Sequence, residues 1–217
     1  MTHPTREQLH QMAQEKSGEL VQLVSELIQI PSENPTGSQR PVVDFVENYL
    51  KAAGIPYEET GNNPEFPCIV AKLGSDEGFS VILNGHLDVV PAGDRSQWDF
   101  DPFCGTVTDK QILGRGTSDM KAGVAGLLFA MKILKESGAE LRGNIRLHLV
   151  SDEESGGEYG STWLCEHGYA EKADACLIAE PATTLRLARR ADCTSCSRPR
   201  ASRPTGAWAA SRAITLF

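Results

Sequence analysis

Histidine is scarce in this chain and stops early: the 217 residues contain five, at positions 3, 10, 86, 148 and 167, and none follows Glu180. Any centre that relies on imidazole has to be assembled from that short list. Long apolar runs are missing as well. No stretch reaches the roughly 18 residues that span a bilayer, and Met1-Thr2-His3-Pro4 lacks the basic segment followed by an apolar one that marks a secretory leader. These absences exclude a membrane span and predict a cytoplasmic protein. Excess basic charge is lacking too. A net charge of -8 argues against nucleic acid as a partner, since phosphate binding needs a basic face. Cysteines are present, but Cys68, Cys104, Cys165 and Cys176 are scattered singly and predict buried free thiols. Cys193 and Cys196 have the spacing of half a structural zinc site, yet no second pair follows to complete four ligands.

The charge is unevenly placed. Residues 186–217 carry seven Arg, no Lys and a single acid, Asp192, whereas the preceding stretch is strongly acidic. Composition turns at the same point toward Arg, Ser, Ala, Cys and Pro, and no strand pattern survives beyond Pro181. Residues 1–184 therefore read as one folded unit and 185–217 as an atypical tail, disordered or read from a shifted frame of a GC-rich coding sequence.

Within the first unit, apolar residues at Leu9, Met12, Leu20, Val24, Leu27 and Ile28 recur at helical spacing and predict a helix from Arg6 to Ile30, stopped by Pro31. A second helix is predicted over Pro41–Ala53 and a third over Met120–Ser137, closed by Gly138. Short apolar or alternating runs at Cys68–Ala71, Ser80–Leu83, Ile145–Val150 and Ala175–Ile178 read as strands of one sheet. His148 falls inside an alternating strand and reads as a half-exposed cross-strand residue. Strands interleaved with helices predict an α/β fold, a three-layer αβα sandwich with a mostly parallel mixed sheet.

Such folds place ligands where strands end and loops begin, and this is where the acidic islands fall. Asn84-Gly85-His86-Leu87-Asp88 and Ser151-Asp152-Glu153-Glu154 each close a strand, Ala179-Glu180-Pro181 closes another, and Asp119 lies on the loop entering the long helix. Imidazole and carboxylate donors without ordered thiolates suit zinc, manganese or cobalt, and two such ions about 3.5 to 4 Å apart can share a bridging carboxylate. Asp119 is the candidate bridge, although an Asp before a helix also serves as an ordinary N-cap. His86 and Asp88, two apart on an extended segment, share a face, so Asp88 can orient the ring directly or through the loop backbone. Glu153 and Glu154 point different ways, leaving one free for a cation and the other for a proton; an acidic, solvated loop would carry the same residues. Glu180 ends an apolar strand, where a lone charge is costly unless paired or liganded.

In combination, Gly85-His86-Leu87-Asp88-Val89-Val90-Pro91, Gly114-Arg115-Gly116 through Asp119-Met120-Lys121-Ala122-Gly123 and Asp152-Glu153-Glu154 resemble the co-catalytic zinc amidohydrolase and exopeptidase family of acetylornithine deacetylase, succinyl-diaminopimelate desuccinylase, aminoacylase and glutamate carboxypeptidase. The likeness covers roughly residues 10–185 and includes Trp98 with Asp101-Pro102-Phe103. It implies a zinc exopeptidase-like catalytic domain holding two Zn2+, with Co2+ or Mn2+ as substitutes. His86, Asp119 and Glu180 hold one ion and Asp119 and Glu154 the other, Glu153 is the general base, and Asp88 orients His86. The implied reaction is hydrolysis of an amide in a small N-acylated amino acid or dipeptide, with Glu153 carrying a proton from water to the leaving amine. It also implies a longer protein, in which an inserted lid and dimerisation domain after the position of Glu180 supplies a histidine toward substrate and makes a homodimer, and a returning segment supplies a histidine to the second ion. Neither piece is legible here, so the chain reads as an incomplete catalytic domain of impaired activity. Two alternatives stay open: a non-catalytic metal-binding fragment of such an enzyme, and a different zinc aminopeptidase family with a similar sheet and no lid.

Overall fold

A computed structural model of the chain describes residues 3–181 and two short strands, Leu187–Arg189 and Ala213–Thr215. The tail set apart in the sequence otherwise lies outside the described residues. The two strands in it correct the expectation that no strand follows Pro181. Each has three residues and pairs through backbone hydrogen bonds at a sheet edge, which needs no periodic side-chain pattern.

The first predicted helix is two helices, α1 (Arg6–Glu15) and α2 (Ser17–Ile28). Thr5 and Gln8 form a capping box that starts α1. Lys16 then leaves helical geometry where Ser17 and Gly18, both poor helix formers, follow. Burial changes at the break: α1 buries no residue, whereas α2 buries Leu23, Val24, Leu27 and Ile28. Helix α3 (Arg40–Ala52) has Pro41 in its first turn and buries Val42, Val43, Val46 and Leu50 along one stripe.

Strands β1 (Tyr57–Thr60), β2 (Cys68–Gly74) and β3 (Phe79–His86) follow, then the short β4 (Thr106–Val107) and β5 (Gln111–Leu113). Helix α4 (Ala122–Ser137) ends at Gly138 in the left-handed region. Strand β6 (Gly143–Val150), the four-residue helix α5 (Trp163–Glu166) and β7 (Ala175–Ile178) come next, and the tail strands are β8 (Leu187–Arg189) and β9 (Ala213–Thr215).

The main sheet has the order β1-β2-β6-β3-β7-β8. Its centre is parallel, β3 lying between β6 and β7, while β2 and β8 run the other way and β1 returns to the direction of the centre. The expected α/β mixed sheet is thus present, with four of six strands sharing one direction. Helices α1 to α4 cover one face, around a core that includes Leu27, Ile28, Val46, Leu128, Met131, Leu147 and Leu149. The other face is covered, among the described residues, by α5 and its turns, where Leu164 packs on Cys68 and Val150 with Trp163 and Tyr169 alongside. The third layer is therefore thin.

That covering corrects the reading of His148. It is 3% exposed rather than half exposed, because β6 sits between β2 and β3 and its second face lies under this layer. Cys165 also differs from the free thiol expected, being disulfide-bonded.

Candidate metal centre at the carboxyl edge of the sheet

The register of the parallel strands builds the site. His86 pairs with Val150, so β3 and β6 end together, and the Leu87 N–H donates to the Val150 carbonyl at 2.8 Å. The loops carrying Asp88 and Glu153-Glu154 must therefore start side by side. Strand β7 runs parallel on the other flank as far as Asn84 opposite Ile178, and the Ala179 N–H donates to the Asn84 carbonyl at 3.2 Å. Glu180 thus emerges next to His86. Asp119 arrives from the helix layer, on the loop before α4. A Cβ on Gly123 would collide with the Ala179 carbonyl, so glycine is needed for α4 to begin this close to the end of β7.

These placements bring three of the residues singled out by sequence onto one point. His86 Nε2 lies 3.0 Å from Asp119 Oδ1 and 3.1 Å from Glu180 Oε1, and the ligand atoms of the three residues are all within 4.8 Å of one another. Glu153 Oε2 is 4.0 Å from the same nitrogen. The ring is 1% exposed, whereas the Asp119 and Glu180 side chains are 51% and 36% exposed, so the cluster has a buried floor and an open mouth. Asp119 does not cap α4. Its backbone is extended, and its carboxylate turns to His86. The Asp119–Met120 peptide bond is cis.

Asp88 contacts His86 in both of the ways left open by its sequence position. Its backbone carbonyl lies 2.8 Å from His86 Nδ1, closer than its own carboxylate at 3.4 Å. The carboxylate is fully buried and gathers the loops: it accepts from the Glu153 N–H at 3.2 Å, the Glu154 N–H at 3.0 Å and Asn34 Nδ2 at 2.7 Å. Asn34 also reaches Ser155 Oγ at 3.0 Å. Sequence reading missed Asn34. Its segment lies beside the loop after β3 as an isolated parallel bridge, Glu33 opposite Val89, which leaves no periodic signal.

Electrostatics follow from this crowding. Burial alone would depress the His86 pKa, but hydrogen bonds to Asp119, Asp88 and Glu180 outweigh it and hold the pKa well above the ordinary value. Asp119 is lowered chiefly by its bond to His86, against burial, with help from Glu180 and Arg115. Asp88 stays below the ordinary range because His86, Asn34 and the Glu154 N–H more than offset its burial. Glu154 is pushed up to about 7 by burial and by the facing charges of Asp119, Glu153 and Asp88, with His86 opposing. Lys121 is fully buried, which pulls its pKa down to about 7 against the pull of Asp88.

An imidazole whose Nδ1 is engaged by a carbonyl, leaving Nε2 facing two carboxylates, is a donor set for a divalent cation at a strand-end crevice. Fold and site together define the class, an α/β domain of the metallohydrolase type. The chain belongs to Peptidase family M20/M25/M40, whose sequence profile residues 82–189 match. It is 35% identical over 177 residues to the N-formyl-4-amino-5-aminomethyl-2-methylpyrimidine deformylase of Bacillus subtilis (strain 168), covering 79% of this chain and 41% of that protein. It is also 35% identical over 170 residues to a succinyl-diaminopimelate desuccinylase of Rhodospirillum centenum, covering 74% of this chain and 42% of the relative. Among solved structures, human carnosine dipeptidase 1 superposes with a TM-score of 0.68 at 26% identity over 79% of this chain and 40% of its own. The chain thus spans about 40% of the length of these relatives.

Proposed function

We propose that residues 1–184 are the N-terminal part of a metal-dependent amidohydrolase domain that cleaves an amide in a small N-acylated amino acid or dipeptide, acting in the cytoplasm. The deformylase, desuccinylase and dipeptidase relatives are named for bonds of this kind. No helix of the described residues is long and apolar enough to cross a membrane. The observation that carries the reading is the convergence of His86 Nε2, Asp119 and Glu180 on one point.

The donors fit a first divalent ion, zinc, cobalt or manganese, held by His86, Asp119 and Glu180. For a second ion the described residues offer Asp119 as bridge and Glu154. Bound there, such ions supply Lewis-acid polarisation of a carbonyl and a more acidic water. The rest falls to the chain. With an ion bound, the Asp88 carbonyl would accept from His86 Nδ1–H and so leave Nε2 bare, and its carboxylate holds the Glu153-Glu154 backbone beside the end of β3. Glu153 reaches the pocket with Oε2, where it accepts a proton from water and passes it to the nitrogen of the departing amine.

Titration of the purified chain with Zn2+, Co2+ and Mn2+, paired with hydrolysis of N-succinyl and N-formyl amino acids and of dipeptides, tests the reading. Uptake of ions together with turnover supports it, and a chain that takes up none of the three ions sinks it. The second reading, a metal-binding fragment without activity, is favoured by the two-carboxylate donor set for the second ion. Binding without turnover is its signature.

A further inference from the structure

Lys121 has no part in the chemistry above, yet it is fully buried and is among the largest side chains so enclosed. Its Nζ donates to the Leu27 carbonyl at 2.9 Å and the Ile30 carbonyl at 2.7 Å. Leu27 lies in the last turn of α2 and Ile30 two residues beyond its end, where the helix dipole favours a cation. Its backbone N–H donates to the Gly116 carbonyl at 2.8 Å, which closes the loop that carries Asp119. Gly116 is itself in the left-handed region, and a Cβ there would sit 2.6 Å from Val89 Cγ1 and 3.2 Å from Lys121 Cδ.

We propose that Lys121 is a positioning residue: by anchoring the Asp119 loop to the end of α2, it fixes the Asp119 carboxylate at 3.0 Å from His86 Nε2 and so sets the geometry and affinity of the cation site. A buried ammonium is a costly way to fill space, since a methionine would occupy similar volume without desolvating a charge. What the ammonium adds is direction. Its side chain leaves the loop two residues after Asp119 and is held at the far end by one carbonyl in the last turn of α2 and one just past it. Met120, between them, accepts from the His86 N–H at 3.1 Å through its sulfur. Asp119 is thus tied to β3 on one side and α2 on the other, while its own side chain stays 51% exposed at the mouth.

This inference rests on the metal reading above, and the test separates the two. Co2+ titrations of the full chain, followed by visible absorption, compare the wild type with Lys121→Met, Lys121→Gln and Val46→Ala, a core substitution in α3 remote from the loop. Lys121→Met is expected to weaken Co2+ binding by about tenfold or more and to change the cobalt spectrum, as loss of a group that orients a ligand does. Lys121→Gln, which keeps a donor on a shorter stem, should fall between and serves if the methionine variant does not fold. Val46→Ala should melt earlier yet bind Co2+ as the wild type does. If the wild type binds while the Lys121 variants keep its affinity and spectrum, or lose no more than Val46→Ala, the positioning role is overturned and the metal reading stands. A wild type that takes up no Co2+ overturns both.

Discussion

At the scale of single residues, the cluster exchanges protons for a cation. Hydrogen bonds to Asp119, Asp88 and Glu180 favour the protonated form of His86 against its burial, and Glu154 is lifted to about 7 by burial among like charges. A metal ion needs a bare Nε2 and an ionised carboxylate, so both protons compete with it. The sign follows: affinity is weakest at low pH and strengthens as pH rises through 7 and above, by up to about tenfold per pH unit for each proton displaced. Isothermal titration of Zn2+ between pH 5.5 and 8 should show this slope, and Glu154→Gln should reduce it by about one proton. A pH-independent Kd contradicts the linkage. Asp88 supports a separate expectation. Replacing it with Asn presents an amide to donors that now meet a carboxylate and removes the negative charge beside Lys121, so urea unfolding should register a loss of about 2–4 kcal/mol. Among these residues, the meeting of His86, Asp119 and Glu180 was legible from their places at strand and loop ends, whereas an N-cap or a solvated acidic loop would have carried the same Asp119, Glu153 and Glu154. Asn34 and Lys121 were not, since asparagine in a turn and lysine at the start of a helix are ordinary on a surface. Their roles exist only once distant backbone carbonyls or a buried carboxylate are folded against them.

Secondary-structure elements carry a different dependence on pH. His148 on β6 is buried, and burial together with Arg146 depresses its pKa to about 3. The folded chain keeps this imidazole neutral, whereas the unfolded chain binds a proton below about 6.5. Its contribution is therefore intact above that pH and is lost as pH falls from 6.5 toward 3, amounting to about 2 kcal/mol at pH 5. Equilibrium unfolding of His148→Leu should lose less stability between pH 7 and 5 than the wild type, and equal slopes would show that the ring is not held neutral. Helix α4 makes another demand on its neighbours. Gly123→Ala puts a methyl against the Ala179 carbonyl and forces the start of α4 away from β7; a drop of about 1–3 kcal/mol is expected, with weaker metal uptake because Asp119 and Glu180 separate. Strand and helix identities were readable from apolar periodicity. The break at Lys16 was not, because the apolar stripe continues across it while the backbone turns. The burial of His148 was hidden as well, since alternation along β6 records which side a residue faces and not that a second layer covers that side.

For the whole molecule, the site is where separate segments are stitched together: β3 brings His86, the loop before α4 brings Asp119, the loop after β6 brings Glu153 and Glu154, and the end of β7 brings Glu180. Sequence reading could place each at the carboxyl edge, but not which strands lie side by side, and it is the order β6-β3-β7 that makes them meet. With four carboxylates around one imidazole, the ion-free fold holds like charges together at the cost of its own stability. A cation reverses that term and acts on all four segments at once. Binding should therefore appear as stability of the entire domain and not as a local change. At an ion concentration of about one hundred times Kd, the linkage gives about 2.7 kcal/mol, which for a chain of this size corresponds to a rise in Tm of about 5–10 °C. Differential scanning calorimetry with Zn2+ and then with excess EDTA measures it. The rise should be reversed by the chelator and absent in His86→Ala. A wild-type melt that is indifferent to both additions would mean that the four segments hold no ion, and that their carboxylates are gathered for another purpose.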